Sequence, residues 1–184
     1  MKNTLLAAAL LAALPAFADD LLPEARKVAS TVPPKLLAVL TAEIEKNGPE
    51  GAIGVCREKA PQMAKAASEQ TGWSIRRVSL NNRNPKAVPD AWERANLQDF
   101  DRRAAAGESP ATLEKGEVVT EDGKKSYRYM KALPTLDLCL KCHGAQASLS
   151  PAVKDKLAAL YPQDKATGYS AGQIRGAMTI RKPL

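Results

Sequence analysis

A short segment late in the chain, Cys139-Leu140-Lys141-Cys142-His143-Gly144, carries the sequence feature that most constrains the fold. Two thiols three residues apart, with a histidine directly after the second, form the attachment pattern of a covalently held c-type haem. On one helical turn the two sulfurs lie on one face, where they can form thioethers to two vinyl groups, and the imidazole points at the iron. The pattern predicts one covalent haem c per chain, anchored by Cys139 and Cys142, with His143 as the proximal iron ligand.

His143 is the only histidine in the sequence, so a second iron ligand cannot be another imidazole. The remaining choices are Cys56, a methionine, a lysine or a small molecule. Cys56 and Met63 share the apolar stripe of a predicted helix that opens at Glu50, and thiolate and thioether both ligate haem iron. A cysteine on such a stripe can also be a plain core residue. The periodicity does not separate these alternatives.

The first 18 residues match the three-part pattern of a secretory signal peptide. Lys2 supplies the positive region, the segment 5–14 is apolar, and Ala16-Phe17-Ala18 is a small-x-small cleavage site. The apolar segment is too short for a bilayer core, which needs about 20 residues. We therefore expect a cleaved signal over 1–18, a single domain over 19–184, a periplasmic or secreted location, and no transmembrane segment in the mature chain.

The mature chain would be basic, with 26 lysines and arginines against 20 acidic residues once Lys2 is removed. A basic surface can meet nucleic acid, an anionic membrane or an acidic redox protein. Export argues against nucleic acid, and the basic residues are scattered rather than grouped. The expected partner is an unidentified redox protein. Arg76, Arg77 and Arg83 are candidates to pair with haem propionates, because a guanidinium fork matches a carboxylate; surface ion pairing is the alternative for each.

The hydrophobic periodicity predicts an α+β fold with an antiparallel sheet. Asn47-Gly48-Pro49 should interrupt a helical N-terminal region, and Pro61 should kink its second helix. Asp122-Gly123 is a strong hairpin turn. The predicted elements are helical segments over 20–70, a strand over 73–80, a helix over 91–106, the hairpin around 122–123, a helix over 151–160 and a strand over 174–180.

Several sequence blocks together resemble a family of exported haem-binding proteins once described as a domain of unknown function. The blocks are Gly51-Ala52-Ile53-Gly54-Val55-Cys56, Val78-Ser79-Leu80, Arg83-Asn84-Pro85, Pro89-Asp90, Trp92-Glu93, the haem motif, the segment Tyr161 to Tyr169, and Arg175-Gly176-Ala177. The resemblance covers nearly the whole mature chain. It implies a PAS-like antiparallel sheet with flanking helices and a long N-terminal helical region, and it implies Cys56 as the distal iron ligand.

Ligation by one histidine and one thiolate predicts a low reduction potential, because thiolate stabilises ferric iron. One-electron transfer follows as the expected function, with a haem-based redox or gas sensor as the alternative. We expect no enzymatic activity, because a closed iron offers no open position and no second histidine exists as a distal acid or base. Two readings without haem are a Cys₃His zinc site formed by Cys56, Cys139, Cys142 and His143, and a thiol oxidoreductase using the Cys-x-x-Cys pair.

Overall fold

The computed structural model describes residues 17–184, with side chains from residue 21 onward. The predicted signal peptide, residues 1–18, lies outside the described residues apart from its last two positions. The elements of the described range are α1 (Phe17–Ala29), α2 (Val32–Thr71), β1 (Ser74–Val78), α3 (Ala91–Ala105), β2 (Glu114–Glu121), β3 (Lys124–Pro134), α4 (Asp137–His143), α5 (Pro151–Leu160) and β4 (Ile174–Pro183). Among the helices of residues 17–184, none combines the length and apolar character needed to cross a membrane.

The four strands form one antiparallel sheet in the order β1-β4-β3-β2. The β2–β3 hairpin turns at Asp122 and Gly123, whose φ angles of 50° and 74° are both left-handed. That pair of angles is what a tight two-residue hairpin turn requires, and glycine adopts it without steric cost. The predicted α+β fold, with an antiparallel sheet, flanking helices and an N-terminal helical region, is confirmed.

Helix α2 is 40 residues long and changes direction at Gly48. Within α2, all of which the structure describes, Gly48 is the one residue with non-helical dihedrals, at φ 73° and ψ 172°. Pro49 follows it and could not have continued a regular helix, so the predicted stop and restart are confirmed. Pro61 lies inside the helix with helical dihedrals, so α2 continues through it, and the kink predicted there stays a prediction. Pro61 donates no backbone hydrogen bond, so α2 passes it with one hydrogen bond fewer.

The two faces of the sheet are covered by different helices. On one face α1 and the C-terminal part of α2 contact a core of Trp73, Ile75, Tyr127, Tyr129, Met178 and Ile180. On the other face α3 contributes Leu97 and Phe100 to a core with Val78, Leu113, Met130, Ala132 and Ala177. A third apolar cluster joins the middle of α2 to α5, through Ile53, Leu149, Val153, Leu157 and Tyr161, and Cys142 packs against it.

Glu93 is a buried carboxylate that ties α3 to the sheet, with 2% of its surface exposed. It accepts hydrogen bonds from the Asp90 backbone, at 2.9 Å, and from the Thr179 hydroxyl, at 3.0 Å. It also forms ion pairs with Arg76 and Arg128. Because a buried charge is costly unless it is fully paired, this network fixes the start of α3 against the sheet.

Replacing Glu93 with glutamine should lower the free energy of unfolding by about 3 kcal/mol, because it leaves the buried Arg128 guanidinium with a weaker set of partners. The measurement is urea denaturation, read as a lower midpoint at an unchanged slope. Glu108→Gln is the matched control, since Glu108 pairs with Arg103 at the surface and should change the midpoint little. Equal midpoints for the two variants would show that Glu93 is not a stabilising charge.

Candidate functional site

A groove lies between α2, α4, the C-terminal end of β3 and the N-terminal end of β4. Most of the chemically active groups predicted from the sequence line it. Its empty space, counting the mouth that opens to solvent, is about 920 Å³. The sequence-predicted groups that line it are Cys56, Arg77, Arg83, Cys139, Cys142 and His143. We call this groove the thiol cavity. Two elements far apart in sequence therefore bring three thiols and the only imidazole to one site.

The rest of the thiol cavity is largely apolar. One helical stripe of α2, formed by Leu36, Leu37, Leu40 and Ile44, faces it before the Gly48 bend. Leu133, Leu136, Leu138 and Met178 line it from the strand ends and from the segment that enters α4. An apolar groove with a few polar groups is the usual lining of a cofactor site.

Helix α4 presents the motif to this cavity. Cys139 and Cys142 lie one turn apart on the same helical face, and the Cys142 thiol points at the carbonyl of Pro49, 3.7 Å away. Gly144 ends the helix by donating its N–H to the Leu140 carbonyl at 3.0 Å. A Cβ atom at Gly144 would lie 2.7 Å from that same oxygen, so only glycine permits this close approach.

His143 is 8% exposed and its tautomer is fixed by its surroundings. Nδ1 lies 2.6 Å from the carbonyl oxygen of Ala166, and because a carbonyl can only accept, Nδ1 carries the hydrogen. Burial, and then the charges of Arg175 and Arg83, hold the pKa of His143 well below its ordinary value. The imidazole is therefore neutral at pH 7, with Nε2 left as the lone-pair nitrogen that binds metals.

Arg83 braces the segment that orients His143. Its guanidinium donates to Asp164 at 3.0 Å and to the Cys142 carbonyl at 2.7 Å. Asp164 in turn accepts the Ala166 N–H at 2.8 Å, which positions the carbonyl that holds Nδ1. The Arg83 side chain is thus engaged within the protein, although the sequence put it forward as a propionate partner.

Gly168 and Tyr169, which follow Ala166 along the chain, form backbone hydrogen bonds to the end of the haem motif. Tyr169 donates its backbone N–H to the His143 carbonyl at 3.0 Å, and Gly168 donates to the Gly144 carbonyl at 2.8 Å. The Tyr169 ring also meets the His143 imidazole edge-on, with centroids 6.5 Å apart. His143 is therefore held from its side chain and from its backbone by one loop.

The thiols of Cys56 and Cys142 are protonated at neutral pH, because burial disfavours the charged thiolate. Burial raises the pKa of Cys56, opposed by the positive charges of Arg175, Arg77 and Arg83. Burial likewise raises the pKa of Cys142 to about 11. Because metal binding requires the thiolate, a metal at Cys56 would have to displace the proton, and the three nearby guanidinium groups would favour the resulting anion.

Two predicted site residues lie elsewhere. Met63 packs against the core between the sheet and the helices α1 and α2, and it is not among the described residues that line the thiol cavity. Seven residues along a helix is about 10 Å, so Met63 shares the face of Cys56 but lies beyond the cavity. Arg76 points to the opposite face of the sheet and pairs with Glu93.

Arg175 lines the thiol cavity, and the sequence had not predicted it as a site residue. Regular alternation from Met178, which faces the cavity, would turn Arg175 to the other face of the sheet. The β3–β4 register shifts between Ala132 and Pro134, where β4 carries an extra residue. Gly176, with φ 140°, lies in this bulge, and a Cβ there would be 2.3 Å from the Val78 carbonyl oxygen. The bulge re-aims Arg175 into the cavity.

The alternative zinc site is not assembled. Within residues 17–184, no three side chains among histidine, cysteine, aspartate and glutamate lie close enough together to hold a metal ion. All three cysteines carry free thiols, so Cys139 and Cys142 are not joined as a disulfide. The motif thiols and the imidazole instead face an open groove together with Cys56.

A larger and more open cavity, about 1250 Å³ on the same measure, lies between α3 and residues 167–176. The described residues that line it include Asp101 and Asn81 but no cysteine or histidine. Size alone therefore does not mark the functional site, and the reactive groups select the smaller groove.

Comparison with known proteins places the chain in a family. The model of the Tll0287-like family matches residues 6–183. A solved structure, described as the crystal structure of the cyanobacterial heme-protein Tll0287, superposes with a TM-score of 0.66 at 22% identity, covering 90% of this chain and 96% of that one. No curated protein matches the chain. Because the family model spans nearly the whole sequence, the chain belongs to the Tll0287-like family.

Proposed function

We propose that this protein is an exported, mono-haem c-type protein that transfers single electrons. The observation that carries the proposal is the convergence of both motif thiols, the only histidine and Cys56 on one largely apolar groove. The description of the related solved protein as a heme-protein supports the same cofactor.

The residues present fit a haem. Cys139 and Cys142 would hold it through thioethers, His143 would offer Nε2 to the iron, and Cys56 would supply the distal ligand from α2. The neutral imidazole fits a ligand role because its Nδ1 hydrogen already has an acceptor in Ala166. The Nε atom of Arg175 is buried with no hydrogen-bond partner among the described residues, which fits a site whose ligand brings an anionic group.

When bound, haem supplies one-electron chemistry through its iron. The anionic sulfur of Cys56 would stabilise the ferric state, so the reduction potential should be lower than with histidine and methionine. With His143 and Cys56 both holding the iron, the protein would offer no open position to a substrate, which is our reason for proposing no enzymatic role. The apolar wall from α2 would exclude water from the site.

We also propose that the protein is exported and that its partner is a redox protein. The signal peptide expected over 1–18 would deliver the protein to the periplasm or outside the cell, where the partner would be a redox protein rather than a nucleic acid. The basic balance of the chain is consistent with an acidic partner surface.

A redox or gas sensor is the second candidate, and the chemistry of Cys56 favours it. Burial raises the pKa of Cys56, so the neutral thiol, a weak ligand, is readily formed when the iron carries less positive charge. Carbon monoxide separates the two functions: a reduced protein that binds it has released its distal ligand, whereas refusal favours electron transfer.

The test of the proposal is the visible spectrum of the full-length protein expressed with a c-haem maturation system. We expect about one haem per chain, a red band that survives denaturing electrophoresis, and the low-spin ferric spectrum of thiolate ligation. Cys139→Ala combined with Cys142→Ala should abolish the covalent band, and Leu140→Ala, between the two thiols, should keep it. A colourless wild-type protein that carries zinc would contradict the proposal.

A further inference from the structure

Two arginines in the wall of the thiol cavity lack the carboxylate partner that comparable arginines have. Among the arginines of residues 21–184 that are not exposed, four form ion pairs: Arg83 with Asp164, Arg103 with Asp99 and Glu108, Arg128 with Asp90, Glu93 and Glu121, and Arg181 with Glu121. Arg77 and Arg175 form no ion pair with any described residue. Since both line the cavity, their charges face the space that a ligand would fill.

Arg77 and Arg175 are neighbours in the cavity wall, and Arg175 also has an unpaired donor. Arg77 donates from Nη2 to the backbone carbonyl of Arg175 at 3.3 Å, so its guanidinium lies against the strand that carries Arg175. The Nε of Arg175 is buried with no hydrogen-bond partner. Burial, and then the charge of Arg175, lower the pKa of Arg77 to about 9. Two neighbouring cations and an unsatisfied buried donor are costly unless an anion joins them.

We propose that Arg77 and Arg175 form a carboxylate seat that binds the propionate groups of haem in the thiol cavity. This inference rests on the proposed function. Haem is apolar except for its two carboxylates, and the cavity is apolar except for its thiols, its imidazole and its arginines. A guanidinium fork binds a carboxylate through two parallel hydrogen bonds, which suits a partly buried site.

The seat also accounts for the different roles of the three arginines that the sequence predicted as propionate partners. Arg76 and Arg83 each bind a carboxylate of the protein itself, Glu93 and Asp164 respectively, so their charges are already neutralised. Arg77 comes from β1 and Arg175 from the bulge in β4, so the sheet supplies the seat, whereas α4 supplies the motif. Haem would then be fixed by covalent bonds from α4 and by charge from the sheet.

The test compares ferric haem with its dimethyl ester, in which both carboxylates are blocked. The protein is the full chain with Cys139→Ala and Cys142→Ala, so that binding is reversible and can be followed by absorbance. We expect haem to bind about tenfold to a hundredfold more tightly than the ester, as two charge-assisted contacts imply. Adding Arg77→Gln and Arg175→Gln should reduce that preference to less than threefold, whereas Arg181→Gln, on the same strand, should preserve it.

The ester serves as the internal control for folding, since a variant that still binds it has kept its cavity. If the double glutamine variant binds neither compound, Arg77→Lys and Arg175→Lys, which keep the charges, must retain a haem preference of at least threefold. Equal affinity for haem and ester in the parent would overturn the seat alone. Equal weakening of both compounds by the glutamine changes would also overturn it, because the arginines would then serve Cys56 or the fold. Binding of neither compound to the parent would overturn the proposed function together with the seat.

Discussion

Replacement of His143 by alanine is expected to remove the imidazole from the haem iron and to reduce the haem attached per chain by at least about tenfold, because haem that His143 does not position is not presented to the two thiols for thioether formation. The reason is the absence of any substitute: His143 is the only histidine in the sequence, and Nε2 is its only free ring nitrogen. Haem per chain is measured as the pyridine complex of the denatured protein, since thioether-bound haem is not removed by extraction. The ferric spectrum of any remaining haem should be high-spin.

Lys141→Ala is the matched control for this change, because Lys141 is an exposed residue of the same helix between the two thiols. It should keep both the haem content and the spectrum. The cores on the two faces of the sheet do not include His143, so the alanine variant should remain folded, which circular dichroism can check. A His143→Ala protein with unchanged haem content and spectrum would show that another group binds the iron.

The parts of the fold that the sequence predicted are those set by local backbone chemistry. Gly48 followed by Pro49 interrupts α2 because that pair cannot continue a helix, and Asp122-Gly123 turns the hairpin because both residues take left-handed angles. α2 continues through Pro61 with helical dihedrals, although proline cannot donate to the carbonyl of Arg57. Local signals therefore predicted where α2 changes direction and where the hairpin turns.

The arginines of the site show where local patterns were sufficient and where they were not. Alternation along the predicted strand 73–80 puts Arg77 on the side of Ile75 and Arg76 on the opposite side. The structure has Arg77 facing the cavity and Arg76 facing α3. Arg175 escaped the same reasoning because a bulge reverses its direction, and a bulge depends on pairing with β3. The signal in the sequence that could have predicted this bulge is Gly176, the glycine directly after Arg175.

That Cys56 and the haem motif line the same cavity depends on tertiary packing, which helical periodicity does not predict. Cys56 and Met63 lie on one stripe of α2, and which of them meets the motif depends on where α4 crosses the helix. The structure sets that crossing beside Pro49 and Ile53, through the Cys142 thiol and the cluster with α5. Cys56 therefore lines the cavity, and Met63 joins the core beyond it.

Cys56→Ala is expected to remove thiolate ligation and to raise the reduction potential by roughly 0.1 V or more, since the choice of axial ligands moves haem potentials over about 0.8 V. The ferric spectrum should change from low-spin to high-spin, because the apolar wall from α2 offers no replacement ligand at that position. Absorbance in both oxidation states and a potentiometric titration measure the two effects. Carbon monoxide should also bind the reduced variant readily once the distal position is open.

Two methionine variants separate Cys56 from its competitors at the iron. Met63→Leu tests the alternative that the helix pattern left open, and Met178→Leu tests the one methionine among residues 21–184 that lines the cavity. Both changes nearly conserve volume, so each should cost less than about 1.5 kcal/mol of stability and leave the spectrum unchanged. If Cys56→Ala kept the wild-type spectrum and Met178→Leu altered it, the sulfur on the iron would be the thioether of β4. The potential should then be higher than the one expected here, because a neutral thioether stabilises ferric iron less than a thiolate does.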